Sequence, residues 1–161
     1  MDETYEPPTH LPPWVRAVLS TTHDRHVDMT RLVAGLPPEG LAWVPADGAS
    51  ALAGLTLHIL DVERYLTALV TGEDIGWTGE LGTRIDETAT EQELVAAVGD
   101  RDEELKAALE GLIADRWASS LGGDLLEDLD HVAAHHGQMQ LTRNLYEAAH
   151  PQAAGAYEHW R

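Results

Sequence analysis

His131 and His135 stand four residues apart in the run Asp124 to Glu147, DLLEDLDHVAAHHGQMQLTRNLYE. On an α-helix that spacing stacks two imidazoles on one face, with their Cβ atoms about 5–6 Å apart. Two imidazoles so placed can share one metal ion. A helical projection sets Asp128, His131, His135, Gln138 and Thr142 on one narrow stripe. Leu125, Leu129, Val132 and Met139 flank it on one side, Ala134, Leu141, Leu145 and Ala148 on the other, and Gln140 and Asn144 lie opposite. With apolar residues on both flanks, the stripe is expected to face the interior. An imidazole buried there without a partner is costly. A metal ion would satisfy these rings, and so would hydrogen bonds between two core histidines and their neighbours. On the residues alone both readings stand.

A third histidine belongs to another amphipathic segment. Leu55, Ile59, Val62, Leu66 and Leu69 share one helical face, with Tyr65 at its edge. His58 falls on that face, while Glu63 and Arg64 fall on the other side. Taken singly, His58 reads as an ordinary core histidine. Taken with His131 and His135 it completes a set that can converge in the interior of a helical bundle, where such folds build metal sites. Imidazole suits zinc, nickel, iron and copper better than magnesium or calcium. Three protein ligands leave positions open for water or a substrate. An open divalent metal lowers the pKa of a bound water or thiol.

The neighbours of these histidines suggest further roles. Asp61 and Asp128 each lie one turn from a candidate ligand, where a carboxylate can orient an imidazole; a solvated surface position is the simpler reading of Asp61. Gln138 reads as a structural residue or a partner for a ligating water. His26, at the edge of the first apolar face, is either a fourth site histidine or an ordinary partly buried residue. His10, His23, His150 and His159 read as surface residues. Trp43 and Trp77 either line a substrate opening or anchor loops by packing.

Four helices must position these groups. Pro7, Pro8 and Pro12 mark residues 1–12 as a loosely held arm. A first helix is expected from Pro13 to Leu36, carrying Trp14, Val18, Thr22, Met29, Leu32 and Val33 on one face and ended by Pro37-Pro38. A linker without strand-like alternation covers Glu39 to Ala49. The second helix should run from Ser50 to Thr71 and close at Gly72. The glycine-rich connection Glu73 to Ala89 is long enough to pack over an opening of the bundle. Thr90-Glu91-Gln92-Glu93 has the pattern of a capping box and starts a third helix that reaches about Asp115. Gly122-Gly123 breaks the chain, Asp124 caps the fourth helix, and 150–161 form a tail. The expectation is one all-α domain over 1–161, a four-helix bundle.

Composition narrows the function. The chain has 161 residues, 43% of them hydrophobic, enough for one core. It has no cysteine, which excludes disulfides, thiolate ligands and a cysteine nucleophile. No apolar run approaches the roughly 18 residues of a membrane span, and no signal peptide is visible, so a cytoplasmic protein is expected. With 28 acidic and 10 basic residues the formal charge is −18, which argues against nucleic acid and anionic membrane as partners. A small-molecule substrate remains.

The motifs His58-Ile-Leu-Asp-Val-Glu63-Arg64 and His131-Val-Ala-Ala-His135-His136-Gly137-Gln138 resemble the two signatures of the DinB/YfiT-like superfamily. Trp43-Val-Pro45 resembles that family's usual linker, and the likeness extends over nearly the whole chain. The resemblance implies a bundle of up-down-down-up order with long crossover connections. It implies that His58, His131 and His135 hold one divalent transition metal, zinc or nickel ahead of iron or manganese. His136 stands where the family often has arginine. Members with known activity use low-molecular-weight thiols, as in mycothiol-dependent maleylpyruvate isomerase and the bacillithiol or mycothiol S-transferases, and homodimers are common. The implied function is a thiol-dependent S-transferase acting on a small electrophile, with the general base open between His136 and Asp128. Two rivals stand beside it: a metal-dependent hydrolase, and a non-catalytic dimeric bundle that binds metal for stability or sensing. Arg143 and Arg64 are the cations that could meet carboxylates on a thiol, although both project away from the ligand stripe.

Overall fold

The computed structural model describes residues 4–75, 89–112 and 121–151. Among the described residues the chain is helical and has no strand. Its elements are α1 (Pro13–Val33), α2 (Pro38–Leu41), α3 (Leu52–Thr71), α4 (Glu91–Glu110) and α5 (Leu121–Ala149).

Local chemistry sets the helix ends. Pro13 occupies the first turn of α1, where its missing N–H costs nothing. α1 ends at Val33, short of the expected Leu36, because Ala34 is extended and Gly35 adopts a positive φ of 70°. Pro38 then opens the single turn α2 inside the segment expected to be irregular. Gly72 closes α3 in the left-handed conformation, its N–H bonded to the Ala68 carbonyl. The capping box of α4 is formed: Thr90 N–H donates to Glu93 Oε2 at 2.9 Å and Glu93 N–H to Thr90 Oγ1 at 3.3 Å. α4 ends at Glu110 rather than near Asp115. α5 begins at Leu121, so Gly122 and Gly123 lie within its first turn instead of breaking the chain, and Asp124 is a first-turn acid rather than the cap.

α1 and α3 each pack on both α4 and α5, and barely on one another. They are therefore diagonal, in the ring order α1, α4, α3, α5. The directions follow from pairs of residues in contact. His23 and His26 meet Asp102 while Tyr5 meets Glu110, so α1 and α4 run antiparallel. Arg25 meets His136 and Leu32 meets Arg143, so α1 and α5 run parallel. His58 meets His131, whereas Leu69 shares a cavity with Asp124, so α3 opposes α5. The result is an up-down-down-up bundle with diagonal crossovers.

The core is divided in two. One apolar cluster gathers Met29, Leu32, Ile59, Val98, Val132 and Met139; the other gathers Val15, Leu19, Leu66, Leu105 and Leu125. On every long helix a buried polar residue lies between the two sets: His26 on α1, Glu63 on α3, Asp102 on α4 and Asp128 on α5.

Four expectations are corrected here. Residues 4–12 are held against the bundle, since Leu11 is buried and the Tyr5 ring packs on His23 with its hydroxyl bonded to Glu110. Glu63, expected on the outer side of its helix, is 0% exposed, and His23, expected at the surface, is 1% exposed. The stripe on α5 has one buried flank only: Leu125, Val132 and Met139 are in the core, but Leu141 and Leu145 face solvent. Among the described residues, no helix is long and apolar enough to cross a membrane.

Candidate metal centre

His58 comes from the N-terminal half of α3, and His131 and His135 from successive turns of α5. The antiparallel pairing of these helices brings the three rings together, and all three are half-buried at the edge of the bundle. One ligand nitrogen from each lies within 4.8 Å of the other two. His58 Nε2 and His131 Nε2 are 3.1 Å apart. Two imidazole nitrogens on one tetrahedral zinc would stand about 3.3 Å apart, so the spacing suits a shared ion. An N–H···N hydrogen bond between one donor ring and one acceptor ring has a similar length. The rings meet edge to face, with centroids 4.5 to 5.0 Å apart, rather than stacking.

Two features fit the donor set to a metal. His135 Nδ1 lies 2.8 Å from Gln138 Oε1. An amide oxygen only accepts, so Nδ1 carries the proton and Nε2 is left with its lone pair. Gln138 thus orients a ring, close to the structural role expected of it. Burial, followed by the charges of His135 and His58, lowers the pKa of His131. A neutral imidazole is the form that ligates.

The model of the DinB superfamily matches residues 21–150, most of the chain and all three histidines. The chain belongs to the DinB superfamily. No curated protein and no solved structure matches it.

In this DinB-superfamily chain a cavity of about 310 Å³ opens beside the triad. Val62, Tyr65, Leu66 and Leu69 of α3 form an apolar wall. α5 supplies the opposite wall with Asp124, Glu127, Asp128 and His131. Asp128 is 7% exposed, and its Oδ1 has no hydrogen-bond partner among the described residues. Burial, and then the nearby charge of Glu63, push its carboxyl up to about 7, with His26 opposing. Asp128 does not make the orienting bond to His131 that its position one turn away suggested, and His131 Nδ1 is likewise buried without a partner among the described residues.

His136, the other residue considered as a base, does not line this cavity. It is buried on the α1 side, 3.4 Å from Arg25 Nη1 and 3.8 Å from Asp28 Oδ2. Burial, and then the Arg25 charge, lower its pKa. The two cations considered for a thiol are also placed elsewhere. Arg143 is 0% exposed, with Nε on Glu147 Oε1 at 2.6 Å and Nη1 on the Leu32 and Ala34 carbonyls at 3.1 and 2.9 Å. It caps the C-terminal end of α1, where backbone carbonyls lack helical partners. Arg64 borders the groove between α3 and α4. Trp43 packs edge-on against Tyr146 and His150, the loop-anchor role. Trp77 lies outside the described residues.

His26 is no fourth ligand of this centre. It is fully buried between two carboxylates, Nε2 2.8 Å from Glu63 Oε2 and Nδ1 2.9 Å from Asp102 Oδ1. His23 Nδ1 and Lys106 Nζ reach Asp102 Oδ2 at 2.9 and 2.6 Å. Burial alone would lower the His26 pKa, but Glu63 and Asp102 outweigh it and push it up to about 9. Burial works against ionised Asp102, yet hydrogen bonds from His26, Lys106 and His23 hold its carboxyl well below the usual range. This charge network was missed in the sequence, although a signal was present. Asp102 falls in the apolar repeat Leu94, Val98, Leu105, Leu109, and Glu63 falls between Ile59 and Leu66, so helical spacing puts both acids on buried faces.

Proposed function

We propose that His58, His131 and His135 hold one divalent transition metal, zinc or nickel, and that the protein is a metal-dependent S-transferase joining a low-molecular-weight thiol to a small electrophile. The observation that carries the reading is the convergence of three ligand nitrogens beside a cavity. Three protein ligands with space beside them are the arrangement of catalytic rather than purely structural sites. A bound divalent metal would lower the pKa of a thiol and stabilise the thiolate as nucleophile. The likeness of the His58 and His131–Gln138 motifs to those of thiol-using members is what suggests the thiol as co-substrate.

The chain's own residues supply the rest. Gln138 holds His135 in the tautomer that presents Nε2. Val62, Leu66 and Leu69 exclude water from one side of the electrophile. Asp128, with its pKa near neutrality, is matched to accept and return a proton at working pH; it faces the cavity, which His136 does not.

Elemental mass spectrometry on the untagged protein tests the metal. About one ion per chain is expected, and His135→Ala should lose it with helicity unchanged. A metal-loaded protein should then consume thiol in the presence of an electrophile, and Asp128→Asn should slow that turnover by about 100-fold or more. Absence of metal after reconstitution with zinc and nickel would remove the reading.

A further inference from the structure

The two walls of the cavity beside the triad differ in kind. The α3 wall is apolar, with Tyr65 presenting an aromatic ring, while the α5 wall carries the carboxylates of Asp124, Glu127 and Asp128. Neither lysine nor arginine lines it among the described residues. Asp128 is more than nine-tenths buried and its Oδ1 meets no donor among the described residues. A buried acceptor left this way costs free energy until a donor reaches it. His26, the cation whose charge acts on Asp128, is already bonded to Glu63 and Asp102. Glu63 adds to the negative field at Asp128.

We propose that this cavity takes a small organic cation, an apolar body bearing one ammonium group, with the body against Leu66, Leu69 and Tyr65 and the ammonium among Asp124, Glu127 and Asp128. It rests on the metal-dependent reading above in treating that ligand as the substrate, and it assigns Asp128 to holding the ammonium, which keeps the carboxylate ionised, in place of the proton transfer considered above. An ammonium group offers donors to the Asp128 carboxyl at the cavity wall, and charge-assisted bonds of this type are about twice as strong as neutral ones. Tyr65 adds aromatic area to the wall that takes the apolar body. An apolar alcohol would gain the wall contacts alone, and a carboxylate would meet the like charges of Asp124 and Glu127, joined by Asp128 whenever it is ionised. The volume of about 310 Å³ is at the small end for ligand sites, which suits a single ring with a short chain. The same asymmetry disfavours thiols or electrophiles that carry carboxylates at this position.

Isothermal titration of the full chain, zinc-loaded, with phenethylamine, phenethyl alcohol and phenylacetate tests the proposal. Phenethylamine should bind at least about tenfold more tightly than the alcohol, and phenylacetate more weakly than either. Combining Asp124→Asn with Glu127→Gln should shrink the amine preference to less than about threefold. Leu69→Trp starts from a residue that is 41% exposed, so it fills the cavity without disturbing the core, and it should abolish binding of the amine. Equal or tighter binding of the alcohol or phenylacetate, no binding of any probe, or amine affinity indifferent to these variants would overturn the proposal. His135→Ala separates it from the metal reading. Amine binding kept in that variant, with no metal in either protein, would remove the metal and leave the cavity's specificity standing. Stoichiometric metal with no amine preference would do the reverse.

Discussion

Replacing His26 with glutamine removes the cation that bridges two buried carboxylates while keeping a side chain able to hydrogen-bond one of them. In the folded protein the imidazole pKa is pushed up to about 9, against an ordinary value near 6.5. A group whose pKa rises on folding stabilises the fold fully below its unfolded pKa and loses that contribution as pH rises through the folded one. The loss should fall between about pH 6.5 and 9 and amount to roughly 3 kcal/mol. Asp102, held low by its partners, acts on the other side: its contribution is present above its ordinary pKa and is lost in acid. Asp128, raised to about 7, makes stability fall as pH climbs from about 4 to 7, so the comparison is cleanest above that range. Urea unfolding followed by circular dichroism, in steps from about pH 6 to 9.5, measures both proteins. The parent should lose stability across this window and His26→Gln should not. At about pH 6 the variant should be less stable by about 3–5 kcal/mol, the cost of leaving Glu63 and Asp102 buried without their shared cation. A variant that loses stability over the same window as the parent, or that matches it at pH 6, would refute the assignment of a buried cation.

Two further predictions test the frame around the site. Gly40→Ala would place a Cβ 2.8 Å from Tyr146 Cζ, so despite alanine's higher helix propensity it should destabilise the fold by about 1–3 kcal/mol; chemical denaturation of Gly40→Ala with and without Tyr146→Leu should show the second change recovering most of the loss. Arg143→Met removes the donors from the Leu32 and Ala34 carbonyls and leaves Glu147 without its 2.6 Å partner, so a loss of about 3 kcal/mol is expected in the same assay. A variant within about 0.5 kcal/mol of the parent would mean that the end of α1 is satisfied without Arg143.

The helices were legible where one local signal sufficed. Thr90 and Glu93 mark a start that needs no tertiary partner, and Gly72 marks a stop that only its left-handed conformation requires. His58, His131 and His135 were legible as a group because helical spacing plus two motifs fix their faces. What the spacing could not supply was which side of α5 is covered. Leu141 and Leu145 look as apolar as Leu125 and Val132, but only the second pair is covered by the rest of the bundle. Glu63 and His23 were misread for the opposite reason. Their charge suggested solvent, and burial became tolerable only because Asp102 and His26 arrive from other helices. Pairing across 37 or 79 positions of sequence leaves no trace in a single helix pattern.

The polar layer and the candidate metal centre are linked through Glu63. Its charge raises the pKa of Asp128 in the cavity and opposes the lowering at His131. A polar layer through the middle of a bundle is generally less stabilising than well-packed apolar residues, so its presence beside the cavity requires an account other than stability. The charges supply one. His26 partly offsets Glu63 at Asp128, and Asp102 with Lys106 and His23 secures His26 in turn. Removing His26 therefore leaves Glu63 uncompensated and should move the protonation of Asp128 to still higher pH, although His26 itself is not among the cavity's lining residues. The pH profile of any activity that depends on Asp128 should shift upward in His26→Gln, and a profile identical to the parent's would confine the layer to a purely structural role.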